Sequence, residues 1–209
     1  MKQKTKRIQY LSSKSQTLKQ SEKLRKLLKE KRLRPVTDAL LAAVITYGFH
    51  LLYRQFSAEI NSVGIIRDAT QWLTDAVYRQ SLWLNRNIIG LDITTAPGNT
   101  MIYSNNTSMF INGSCSGLKL MFQVTILFLL FPGPWKHKLW FIPLGWVLMH
   151  LSNLLRMVTL SLVSLWNVEY WDFSHDWVMR PFFYLVIFAM WVWWVEKFRK
   201  IRPSATVKL

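Results

Sequence analysis

The apolar residues of this chain are gathered into four long blocks, at 36–56, 115–131, 139–166 and 177–195, and nothing else in the sequence limits its fold so strongly. A bilayer core about 30 Å thick is crossed by roughly 20 apolar residues in a helix that rises about 1.5 Å per residue. Blocks of this length predict membrane spans; a single soluble core in a chain of 209 residues would not need them. The expected fold is therefore all-α, a polytopic transmembrane helical bundle of about four clear spans.

A formal net charge of +16 would suit a nucleic-acid binder, so the placement of the charge decides its meaning. Thirteen of the 27 Lys and Arg lie in residues 1–34, Lys136 and Lys138 flank His137 between the second and third blocks, and five more lie in 197–208. Lys and Arg close to spans mark the cytoplasmic side. Both termini are then cytoplasmic, in a prokaryotic cell membrane. The N-terminal arm, with leucines at 18, 24, 27, 28 and 33, reads as a weak basic amphipathic helix drawn to anionic headgroups. Tyr10 is the arm's lone aromatic residue, so it lacks the stacking platform of a nucleic-acid binder. The first span is expected to act as an uncleaved signal anchor.

The segment 57–114, with four acids against three arginines, and the loop 167–176, with Glu169, Asp172, Asp176 and no Lys or Arg, fall on the opposite, outer face. In the first of these, Ile65, Ile66, Ala69, Trp72, Leu73, Ala76 and Val77 share one helical face, which predicts a small amphipathic helix lying along the membrane. Short strands at 91–96, 100–104 and 108–111 follow, with turns at Pro97-Gly98-Asn99 and Asn105-Asn106, a meander leading to Cys115. The expected organisation is a cytoplasmic arm (1–34), a first span (35–56), an extracytoplasmic helix and meander (57–114), a transmembrane core (115–195) and a cytoplasmic tail (196–209).

Cys115 is the single cysteine, so there is no disulfide framework, and no Cys/His group has metal-ligand spacing. No metal or cofactor is expected. The thiol sits in Asn112-Gly113-Ser114-Cys115-Ser116-Gly117-Leu118, a small-residue elbow opening a helix. The positive end of the helix dipole, with Lys119 one turn on, would support a nucleophilic sulfur there. Arg156 stands among apolar residues in the third block, with Asn153 three positions earlier on the same face. A guanidinium at that depth is costly and calls for a task. His175, followed by Asp176, lies just before the last block, at the level of Cys115, where it can exchange a proton with a thiol or a leaving amine. His50, His137 and His150 lie in a span or on the other side. Each residue also has a plain reading: a small buried hydrophobe for the cysteine, a snorkelling cation for the arginine, a solvated loop residue for the histidine.

Taken together, Cys115-Ser116-Gly117-Leu118, Asn153-x-x-Arg156 and His175-Asp176, in this order and topology, resemble the exosortase and archaeosortase family. The resemblance spans roughly 115–195, with fewer spans than larger members. It implies a membrane cysteine protease or transpeptidase that cleaves a tripartite C-terminal sorting signal of exported proteins. A lipid or glycan amine, or water, would be the acceptor. By the same resemblance Cys115 is the nucleophile, Arg156 the electrostatic stabiliser and His175 the acid or base. Ser116, Gly117, Lys119, Asn153 and Asp176 would support them. Some relatives place an arginine in the third role, which keeps Arg180 as the alternative to His175. A non-enzymatic membrane scaffold and a lipid or acyl transferase remain the readings from other classes.

Overall fold

The computed structural model describes residues 35–198, so the basic arm and most of the basic tail lie outside the described residues. Two compact units meet at Val44, within the first helix. Of the first unit only helical residues 35–44 are described; the second carries everything below.

Helix α1 (Pro35–Gln55) is followed by α2 (Ser57–Ser62) and α3 (Gly64–Leu84), then a π-helical turn, Asn85–Ile89. Strands β1 (Ile93–Ala96), β2 (Thr100–Tyr103) and β3 (Ser108–Phe110) come next. A 3₁₀ turn (Gly113–Cys115) leads into α4 (Leu118–Leu130) and α5 (Trp135–Trp166). The chain continues through a 3₁₀ turn (Val168–Tyr170), α6 (Trp171–Phe173) and a π-helical turn (Ser174–Met179) into α7 (Arg180–Phe198).

Three helical stretches, Pro35–Gln55, Trp135–Trp166 and Val168–Phe198, are long and apolar enough to cross a membrane, as a helical membrane bundle requires. The segment expected as the remaining span is shorter: α4 has 13 residues, about 20 Å of helix. Two features consume its ends. Residues 115–117 are spent on the 3₁₀ turn and on Gly117, whose φ of +79° places it in the left-handed region that glycine adopts without penalty. At the other end Phe131 is the C-cap, and Pro132-Gly133-Pro134 prevents continuation. Lys138, expected in a basic loop, is instead in the first turn of α5 and buried. Its ammonium donates to the carbonyls of Leu129 (2.7 Å) and Phe131 (2.9 Å), closing the C-terminus of α4. Phe128, Phe141, Trp194 and Phe198 pack edge to face or tilted at that end of the bundle.

The meander forms an antiparallel sheet in the order β1-β2-β3, with Met101 opposite both Thr95 and Met109. Period-two alternation turns Ile93, Met101, Tyr103 and Met109 inward onto Val77 of α3 and Leu154, Met157 and Leu160 of α5. The Tyr103 hydroxyl donates to Ser161 Oγ (2.8 Å), and Asn105 Nδ2 to the Ser164 carbonyl (2.8 Å), so polar contacts lock the sheet to the end of α5. Burial pushes the Tyr103 phenol above its usual pKa, partly offset by the Ser161 bond, and keeps it a neutral donor. The expected amphipathic face of α3 divides. Leu73 and Val77 turn into the protein, while Ile65 and Trp72 are exposed. The loop expected at 167–176 is helical throughout except at Asn167, and it runs into α7 without a break.

Candidate active site

Cys115 closes the 3₁₀ turn two residues before the left-handed N-cap of α4. The turn is built locally: Asn112 Oδ1 accepts from Ser114 N (3.0 Å), Cys115 N donates to Asn112 O (2.8 Å), and Ser116 Oγ accepts from Leu118 N (3.3 Å). Gly117 reverses the chain, so the half-buried thiol is presented beside α4 instead of inside it.

Across from it, α5 supplies two side chains from consecutive turns. Fully buried Asn153 donates from Nδ2 to the Cys115 carbonyl at 2.7 Å, fixing the elbow. Arg156 Nη2 reaches Cys115 Sγ at 3.6 Å, a hydrogen-bond distance for sulfur. The guanidinium also lies 5.9 Å from the ring of Phe183 on α7. Its Nε is buried without a partner among the described residues, as is Asn153 Oδ1. Orphaned buried polar atoms are rare and need a reason.

Lys119, expected as a supporting charge, stands in the cleft beside the elbow. Its ammonium lies 5.2 Å from the ring of Tyr53, lining a cleft of about 830 Å³ together with Ser114, Ser116, Asp75 and Asn99. Among the described residues the cation that touches the sulfur is Arg156.

His175 sits on the π-helical turn ahead of α7, where such turns often mark functional sites. Its ring stacks on Trp171, 5.0 Å away and nearly parallel. Nδ1 lies 2.6 Å from Asp176 Oδ1, and Arg180 Nη2 holds the same oxygen at 3.0 Å. The carboxylate thus orients the imidazole, leaving Nε2 as its other polar atom. Among the described residues His175 makes no hydrogen bond to Cys115. Arg180 lies within electrostatic reach of Arg156, Lys119 and His50. The coupling of His175 to Trp171, and of Asp176 to Arg180, follows the i,i+4 spacing of a helix, which the expectation of a loop over 167–176 hid. The cleft wall contributed by α3 and the sheet carried no signal in the sequence, because it depends on how remote segments pack.

No group of His, Cys, Asp and Glu among the described residues is placed to hold a metal ion. No curated protein and no solved structure matches the chain. The profile of the transmembrane exosortases does, over residues 39–193, from inside α1 to the last turns of α7. That match takes in the cysteine elbow, the α5 arginine and the π-helical histidine together, and the chain belongs to the transmembrane exosortase family.

Proposed function

We propose that this protein is a membrane cysteine protease or transpeptidase that cleaves the C-terminal sorting signal of exported proteins at the outer face of the cell membrane. The observation that carries the reading is the contact between Arg156 and the Cys115 sulfur. A cation held against sulfur is what a thiolate nucleophile requires. The thiolate attacks a peptide carbonyl, and the forked guanidinium moves its donors to the developing oxyanion. His175, oriented by Asp176, takes the thiol proton and passes it to the leaving amine; a lipid or glycan amine or water then attacks the acyl-enzyme, giving its own proton to His175 and releasing the thiolate. Asn153 and Gly117 keep the elbow in place, and Lys119 with Ser116 lines the adjoining cleft.

In this reading residues 1–34 and 196–209 are cytoplasmic, 57–114 is the outer helix and sheet, and 115–195 is the catalytic core. A reporter fused after Leu209 should be active only in the cytoplasm; an external C-terminus would reverse the orientation and remove the argument for an outer-face site. The activity is tested in cells expressing wild type or Cys115→Ala at matched levels, by mapping the C-termini of exported proteins that end in an apolar span and a basic cluster. The alanine strain should retain those tails uncut. Identical C-termini in the two strains would refute thiol catalysis.

A further inference from the structure

A second feature lies on the other face of α3. Two apolar grooves run along this helix. One, of about 750 Å³, is walled by Trp72, Leu73 and Ala76 of α3, Met121 and Phe122 of α4, and Trp146 of α5. A smaller one, of about 340 Å³, lies between Trp83 and Leu84 of α3 and Leu154 of α5. Arg79 and Gln80 line both, forming the ridge that separates them.

Arg79 has no ion pair or hydrogen bond among the described residues, whereas Gln80 Oε1 beside it accepts from His150 Nε2 at 2.6 Å. Both grooves lie where α3, itself only weakly apolar, meets the apolar α4 or α5. Arg79 is exposed, as an arginine at the level of lipid headgroups would be, and snorkelling alone does not explain why apolar slots lie on both sides of it.

We infer that this surface is a binding site for a diacyl membrane phospholipid, with its phosphodiester on Arg79 and one chain in each groove. Shape argues against the transmembrane segment of a protein. A 20-residue helix about 30 Å long docks one face along a continuous groove, whereas Arg79 and Gln80 divide this surface into two slots, each in the roughly 300–1,000 Å³ range of small-molecule sites. Charge argues for phosphate. A hydrocarbon chain gains no hydrophobic free energy by leaving lipid for an apolar groove, so selectivity has to come from the headgroup. A guanidinium matches two phosphate oxygens with a planar fork, which a single ammonium does not. The inference is independent of the chemistry at Cys115.

The test uses the full chain, purified in detergent and stripped of lipid. Phosphatidylglycerol and diacylglycerol of the same chain length are offered separately, and bound lipid is counted by native mass spectrometry. The wild type should retain one phosphatidylglycerol and no diacylglycerol, and its thermal midpoint should rise with phosphatidylglycerol concentration. Arg79→Gln should weaken retention by about tenfold or more. A second variant, Ala76→Trp, fills the larger groove while keeping the arginine and should also lose the lipid. Equal retention by wild type and Arg79→Gln would show an adventitious annular lipid and overturn the site. So would equal binding of diacylglycerol, or a photocrosslinker at position 76 that captures a transmembrane peptide in place of lipid.

Discussion

The two halves of the candidate site are held in different ways. Around Cys115 the contact made from α5 is short and enclosed: Asn153 is fully buried, its amide is bonded to the Cys115 carbonyl at 2.7 Å, and Ser116 is buried at the start of α4. Around His175 the contacts lie closer to solvent, with side-chain exposures of 24% for His175, 44% for Asp176 and 63% for Arg180. The first half is anchored by a long helix against a small sheet; the second rides on a π-helical turn ahead of α7. Preorganisation matters most where charge develops, and a proton donor has only to arrive within hydrogen-bond reach when its step comes. The contrast describes a rigid nucleophile and stabiliser served by an acid or base on a more yielding element.

The largest effect that probes this contrast comes from the exposed half. If His175 moves the proton, His175→Gln should reduce substrate cleavage in membranes by about two to four powers of ten, the usual contribution of a positioned acid or base. Arg180→Gln should cost far less, since its contact to Asp176 is an exposed pair of the kind worth at most about 1 kcal/mol. The measurement is the cleavage rate of both variants at equal protein. A reversed order would transfer the third role to Arg180 and leave His175 as a packing partner of Trp171.

Much of this architecture was legible because its causes are local. The strands at 93–96, 100–103 and 108–110 follow from alternation and from turn residues at Asn99 and Asn106, both at positive φ. The long spans follow from length and hydropathy alone. The shortening of α4 was not legible. It depends on Gly117 taking a left-handed conformation and on Lys138 turning back to cap Leu129 and Phe131, neither of which leaves a periodic trace. The chemistry-bearing residues were visible as types: a lone cysteine at an elbow, an arginine in an apolar span. That Arg156 and not Lys119 meets the sulfur required the packing of α5 against the elbow, which the sequence does not encode locally. The acidic stretch before α7 read as a loop because its charges mask a continuous helix.

A smaller effect is expected from Arg156→Lys. Lysine keeps the charge but offers a point donor in place of a fork, so loss of oxyanion stabilisation should cost about two to three powers of ten in rate. The folded bundle should persist, because a lysine at this position can extend toward the interface. Cleavage rate and detergent melting measured on one preparation separate the two effects. Near-native cleavage by the lysine variant would reduce Arg156 to a source of positive field and weaken the case for a rigid half.

The smallest effect is the most discriminating, because it adds a single methyl group at two glycines that share a backbone conformation and differ in what surrounds them. Gly117 and Gly98 hold almost the same left-handed φ, +79° and +80°. An alanine at either should therefore cost roughly 1–2 kcal/mol in backbone conformation. Their surroundings differ. A Cβ at Gly98 would rest 3.7 Å from the Phe110 ring, an ordinary contact, whereas a Cβ at Gly117 would stand 3.2 Å from Asn153 Nδ2. Asn153 is enclosed and already bonded to the Cys115 carbonyl, so it can yield only by lengthening the bond that fixes the elbow. Gly98→Ala and Gly117→Ala should then lower the melting temperature by similar amounts, while only Gly117→Ala slows cleavage. A misplacement of the nucleophile well under 1 Å is enough to do so, since reaction geometry is steep in position. If both variants lose activity in proportion to stability, the elbow is no more finely set than the hairpin, and the distinction between a rigid and a yielding half does not hold.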